Sequence, residues 1–166
     1  NRKFYKAYEG ATGYDGGNNL DIKDLDAAYK SYYPFVVNGK NFLDAAYEVA
    51  TRYGVIQIFT AGNRDGMKES YTRAMLPYFR PDAEKYWLNV TGQLEGDTQR
   101  YNTPGHSKWW SVAAPAKPIY STVVDLTTGK ADYGTKGGTS MAAPHVTGAL
   151  GVIMQRYPYM NNAQIR

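Results

Sequence analysis

The run Gly137-Gly138-Thr139-Ser140-Met141-Ala142-Ala143-Pro144-His145-Val146-Thr147-Gly148-Ala149-Leu150 constrains the fold of this chain more than any other stretch. Its two leading glycines permit backbone angles closed to other residues and let a second segment approach closely. A Thr-Ser pair follows, and either Thr139 or Ser140 is a good helix N-cap beside the orphan N–H groups of a first turn. Val146, Leu150, Ile153 and Tyr157 then recur at the 3.6 period, while Gly148, Ala149 and Gly151 keep the other faces thin. This pattern predicts a helix that is apolar nearly all round and therefore sits inside a core. Pro144 is expected within about its first turn, because deeper in a helix it removes a ladder bond and clashes with the preceding turn. Gln155, Arg156 and Tyr157-Pro158 end the helix, since a residue before proline is biased away from the helical region. A tight turn that delivers a serine to the positive end of a helix presents a nucleophile, with donors waiting for developing negative charge.

The segment that precedes this helix predicts the sheet it packs on. A helix is expected over about Asn41 to Tyr53, with Phe42, Ala46, Tyr47 and Ala50 as its apolar stripe and Gly54 as its stop. The near-continuous apolar run Val55-Ile56-Gln57-Ile58-Phe59-Thr60 then reads as a buried strand. Helix, glycine, buried strand in that order indicates an α/β fold with a parallel sheet. The strand ends in Ala61-Gly62-Asn63, and ligands of such sheets gather outside the carboxyl ends of strands. An amide there can donate into a cleft; an Asn-containing turn from 63 to 66 would need no chemistry. Residues 64–85 suit a loop or a short helical excursion, Tyr86 to Thr91 a strand, and Gly92 to Lys108 a polar loop. Trp109 to Pro115 reads as a strand closed by proline, and Ile119 to Val124 as another.

Taken together, Gly138-Thr139-Ser140-Met141-Ala142-Ala143-Pro144-His145-Val146 with Gly148 resembles the nucleophile segment of the subtilisin-like serine proteases. The resemblance runs from about Phe42 to Pro158 and is strongest from Trp110 onward. It implies a subtilisin-like α/β fold of layers on a parallel sheet, with Ser140 as nucleophile and Asn63 as the oxyanion-hole amide. It also implies that Ala61 and Gly62 form one wall of the specificity pocket and that Thr139 lies on the substrate side. A serine hydroxyl needs a general base, usually a histidine oriented by a carboxylate. The family's chain order is Asp, His, Ser, and neither the Asp segment nor a His-Gly-Thr segment appears here.

The two histidines do not fill that gap. His145 follows Ser140 by five residues, roughly 140° round a helix and about 7.5 Å along it, so a structural role is expected. His106, in Thr103-Pro104-Gly105-His106, is expected to be an unoriented surface-loop residue. The base-bearing segments are expected before Asn1, and the cleft-lining strand that the family carries upstream of the Phe42 helix is not found in residues 1–41. On this reading the chain begins inside a longer polypeptide and is the C-terminal half of a peptidase domain, with residues 1–40 as a surface insertion. That insertion would include a short helix capped by Asp21, with Ile22, Leu25 and Tyr29 on one face. Such a half is expected to lack peptidase activity by itself.

Composition narrows the alternatives. Cysteine is absent, which excludes disulfides, thiolate metal sites and a cysteine nucleophile. The net charge of +4 is interspersed with acidic residues and forms no basic stripe, so nucleic acid is not an expected partner. Asp15, Asn18 and Asp21 fail the EF-hand spacing; structural calcium, which the family often binds, stays unassigned, and no other cofactor is expected. Sixteen tyrosines are taken as core and surface filling rather than a sugar platform. The expected partners are a peptide substrate and the missing N-terminal half, with self-association of the exposed half-sheet in its absence.

The tyrosine-rich insertion and the helix tail Ala149 to Pro158 resemble the subtilisin-like passengers of bacterial autotransporters, which implies a secreted or cell-surface parent. The main alternative is a non-catalytic binding or interaction module that keeps the scaffold without the base. An esterase is disfavoured because Gly138-Thr139-Ser140-Met141 lacks the Gly-x-Ser-x-Gly elbow.

Overall fold

The computed structural model describes residue 40 and residues 42–64, 67–94 and 101–166. The expected insertion and its Asp21 helix, together with Asp15 and Asn18, lie outside the described residues. A helix, α1 (Phe42–Tyr53), leads through Gly54 at φ 68° into strand β1 (Gln57–Thr60). Helical turns at Thr72–Met75 and Pro81–Tyr86 flank the short helix α2 (Leu76–Phe79) and bring the chain to β2 (Trp87–Leu94). A further turn, Gly105–Trp110, precedes β3 (Ser111–Lys117). Strands β4 (Ile119–Val124) and β5 (Ala131–Lys136) then form a ribbon ahead of α3 (Thr139–Arg156) and the short α4 (Asn162–Ile165).

Strands β1, β2 and β3 lie side by side in that order and are all parallel, in register Phe59 with Asn89 and Asn89 with Ser111. Because successive side chains point to opposite faces, β2 divides its residues between two layers. Trp87 packs with Leu43, Ala46, Ala50 and Trp110 on the α1 side, whereas Leu88 and Val90 meet Leu150, Ala142 and Val146 of α3 on the other. Leu43 and Trp87 are fully buried, and removing such a side chain from water is worth about 1.5–3 kcal/mol. The β4–β5 ribbon is antiparallel and separate from this sheet.

Three expectations change on contact with this architecture. In α1, Leu43 rather than Phe42 enters the core; Phe42 stays exposed and meets Phe59 edge-on at 6.2 Å. The two tryptophans do not begin a strand: they close the 105–110 turn, where Trp110 donates its indole N–H to Ala74 O at 2.7 Å and Trp109 faces solvent. Nor does Pro115 end β3, which continues to Lys117. As the last strand of its sheet, β3 presents an edge, where a missing N–H is tolerated.

Helix α3 differs from its expected setting as well. Its inner face is buried at Ala142 and Leu150, but Val152 and Met154 are exposed, and Gly148 and Gly151 have nothing beside them. Part of the apolar surface that the sequence assigns to a core, at Val152 and Met154, is therefore uncovered by the described residues.

Candidate active site

Two loop ends meet at the carboxyl edge of the sheet. The first continues β1: Ala61 N–H bonds Val90 O at 2.9 Å, after which Gly62 turns at φ 124° and Asn63 emerges on the surface. The second follows β5, where Gly138 N–H bonds Ala116 O at 2.9 Å and anchors the start of α3 beside the end of β3. Gly138 adopts φ 141°, and a Cβ there would meet Asn63 Nδ2 at 3.1 Å. Close approach and positive φ together require glycine at this position.

The helix cap is not the one expected. Gly138, not Thr139 or Ser140, occupies the N-cap position, and it has no side chain to cap with. Asn63 fills that role from 76 residues away: its Oδ1 accepts both the Thr139 N–H and the Thr139 Oγ1–H, each at 2.8 Å. A backbone N–H can only donate, so the amide oxygen must face Thr139 and the Nδ2 group must face away. Among the described residues Nδ2 has no acceptor.

Ser140 is the second residue of α3 and is exposed. Its N–H lies ahead of the first capping-turn bond, Met141 N–H to Gly138 O at 2.9 Å, so it belongs to the orphan donors of a helix start. Pro144 stands inside the helix, beyond the first turn where it was expected. Lacking an N–H, it leaves the Ser140 carbonyl without a ladder donor. A cleft of about 440 Å³ opens between this helix start and the β4–β5 ribbon, with Ser140, Met141, His145, Tyr120, Thr122 and Lys136 on its walls.

Ala61 and Thr139 are buried at 0% and 1% exposure, and Gly62 is also buried. None of the three lines that cleft, and Thr139 is turned toward Asn63. His145, on the wall of the same cleft, has its Nδ1 2.8 Å from Met141 O one turn earlier in the helix.

His106 is a correction. Far from unoriented, it places Nδ1 2.6 Å from Glu69 Oε1, its backbone N–H bonds Glu69 Oε2 at 3.0 Å, and its ring meets Tyr78 edge-on. The turn that holds it feeds the amino end of β3, while Ser140 follows from the carboxyl end, so the strand's length separates the two. Among the described residues no group of three or more His, Cys, Asp or Glu side chains is placed to hold a metal ion.

Chemically, an exposed hydroxyl at a helix start beside a free amide donor suits attack on a carbonyl and stabilisation of the resulting oxyanion. A hydroxyl so placed, at the carboxyl edge of a parallel α/β sheet, is open to acyl-transfer chemistry. The chain belongs to the subtilase family: residues 27–166 match the family's sequence profile, a wider reach than the motifs alone covered. It is 37% identical over 135 residues to an extracellular serine protease of Serratia marcescens, covering 70% of this chain and 13% of that protein. It is 33% identical over 147 residues to serotype-specific antigen 1 of Mannheimia haemolytica, covering 86% of this chain and 16% of that one. Among solved structures, the prenylagaramide maturation protease PagA superposes with a TM-score of 0.54 at 19% identity, over 84% of this chain and 52% of the other. The chain thus spans a small part of these relatives and about half of that structure.

Proposed function

We propose that this chain contributes the nucleophile side of a subtilisin-like serine endopeptidase, with Ser140 as nucleophile and the Asn63 amide as oxyanion donor. The observation that carries the reading is the Asn63 to Thr139 link. It fixes the amide oxygen on the helix start and leaves Nδ2 as a donor next to the serine turn. In the intact parent, a histidine from another segment, oriented by an aspartate, takes the Ser140 proton as Oγ attacks the peptide carbonyl. The oxyanion then accepts from Ser140 N–H and Asn63 Nδ2, while Ala61 and Gly62 back the wall of the specificity pocket. Both described histidines are engaged elsewhere, His145 with Met141 O and His106 with Glu69.

The uncovered face of α3 supports a further segment of the parent, the one carrying the base, as its natural cover; without it that surface favours self-association. Protein or peptide is the substrate class. The names of the Serratia and Mannheimia relatives support a secreted or surface location for the parent, as an autotransporter passenger would have. The chain alone is expected to turn over no peptide at high enzyme concentration, whereas the parent is active and loses that activity on Ser140→Ala. Turnover by the chain alone that Ser140→Ala abolishes would overturn the division of labour stated here.

A further inference from the structure

We propose that Asn102 is a positioning residue that sets the Asn63 amide for catalysis, an inference that rests on Asn63 being the oxyanion donor. The two peptide groups flanking Asn63 are both held by Asn102. Its backbone N–H donates to Gly62 O at 3.3 Å, and its side-chain Oδ1 accepts the Arg64 N–H at 2.8 Å. The other end of the side chain, Nδ2, donates to Glu69 O at 2.7 Å. This orientation admits no amide flip, since an N–H demands an acceptor and a carbonyl a donor. Asn102 is 1% exposed, so water does not compete for these bonds.

Asn102 can act as a reference point because its own loop is fixed. Ser70 Oγ donates to Thr103 O at 3.1 Å, and Asn89 of β2 reaches both Ser70 Oγ and Ser107 Oγ at 2.8 Å. Glu69 holds His106 through both carboxylate oxygens. The turn at 62–64 is thereby tied to the centre of the sheet, and the space is tight: a Cβ on Gly62 would lie 2.7 Å from Asn102 Oδ1. Asn63 is consequently set at two points, its backbone by Asn102 and its amide oxygen by Thr139. A reacting group displaced by about 1 Å loses on the order of a hundredfold in rate.

The test is a double-mutant cycle in the active parent, with kcat and KM measured for Asn102→Ala, Asn63→Ala and the pair, and melting temperature recorded for each. We expect Asn102→Ala to lower kcat by about a hundredfold with KM nearly unchanged, and to add less than about threefold once Asn63 is already alanine, because residues acting as a unit are not additive. If Asn102→Ala does not fold, Asn102→Asp, which keeps an acceptor for the Arg64 N–H, enters the same cycle with the same non-additivity expected. Additive losses, or an effect of Asn102 confined to the melting temperature, overturn the proposal. Parental cleavage indifferent to Ser140→Ala instead removes the peptidase reading, and this inference with it.

Discussion

On the proposed reading Asn63 does two jobs with one amide, as the observed cap of α3 and as the oxyanion donor, and a pair of substitutions separates them. Asn63→Ala deletes the acceptor that caps α3 and leaves the Thr139 N–H and hydroxyl, both within a residue that is 1% exposed, without their partner. Loss of a helix cap costs about 0.5–2 kcal/mol, and the second orphaned group places this site in the upper half of that range. For a domain of this size, about 1–2 kcal/mol lowers the melting temperature by about 2–8 °C. Asn63→Asp keeps an oxygen facing Thr139 and puts a negative charge at the start of a helix, which is worth about 0.3–1 kcal/mol in the favourable sense. Its stability should therefore match or exceed that of the unsubstituted chain. Activity behaves in the opposite way. In the parent, Asn63→Asp offers an oxygen where the oxyanion needs a donor, so its kcat should fall at least as far as that of Asn63→Ala. The magnitude for removing such a donor, about 2.7–4 kcal/mol, was established on a subtilisin, a member of this same family, and is not worked out from this structure. Thermal or urea unfolding of the three proteins checks the stability half. Equal destabilisation by Asp and Ala would refute the assignment of Asn63 Oδ1 as the cap of α3.

Two further outcomes are expected. Gly62 (φ 124°) and Gly129 (φ 69°) both occupy left-handed backbone, but only a Cβ on Gly62 collides with neighbours, whereas Gly129 has nothing within 4 Å. Gly129→Ala should thus cost only about 1–2 kcal/mol of backbone strain, and Gly62→Ala distinctly more in the same denaturation assay; equal losses would remove the packing argument. Asp125 accepts the N–H groups of Thr127 at 2.7 Å and Thr128 at 3.3 Å, and these bonds, that from Thr127 first, hold its carboxyl below the usual aspartate value. A depressed folded-state pKa stabilises fully above the ordinary value near about 3.9, and that stabilisation is lost as pH falls through the lower one. The β4–β5 turn should accordingly loosen only in acid below that range, seen in the Thr127 amide resonance, and Asp125→Ala should abolish the transition.

Local pattern made much of this fold legible. The 3.6 period of α1 and the Gly54 stop act over a few residues and give a helix that ends where expected, with Leu43 in place of Phe42 on its buried face. The apolar run Val55 to Thr60, by contrast, yields a shorter strand, Gln57–Thr60, that is half-buried rather than buried, with Val55 exposed. The small-residue helix that begins beside Ser140 appears where the residues place it. What escaped were the side-chain contacts between distant segments. The cap of α3 comes from Asn63, 76 residues distant, and the orientation of His106 from Glu69, 37 residues distant. Asn102 carries no signal in its own neighbourhood, since a buried asparagine in Tyr-Asn-Thr-Pro reads as an ordinary turn. The Trp109-Trp110 pair illustrates the reverse error, in which aromatic strand propensity lost to a hydrogen bond available only in the tertiary structure. The sequence assigns the apolar periphery of α3 to a core because hydrophobicity records what a surface wants, not whether its cover lies among the described residues.

The proposed sharing of Asn63 between architecture and chemistry also bears on how a chain of this kind would lose activity over evolutionary time. An amide that caps the helix stays under selection for folding after catalysis has ceased, so its persistence in a relative is poor testimony to function. Ser140 is placed differently. Its hydroxyl makes no hydrogen bond among the described residues, and nothing in the architecture would resist its replacement. In a lineage that had become a binding module, the serine should drift while the asparagine endures, and the divergence of those two positions would date the change of occupation.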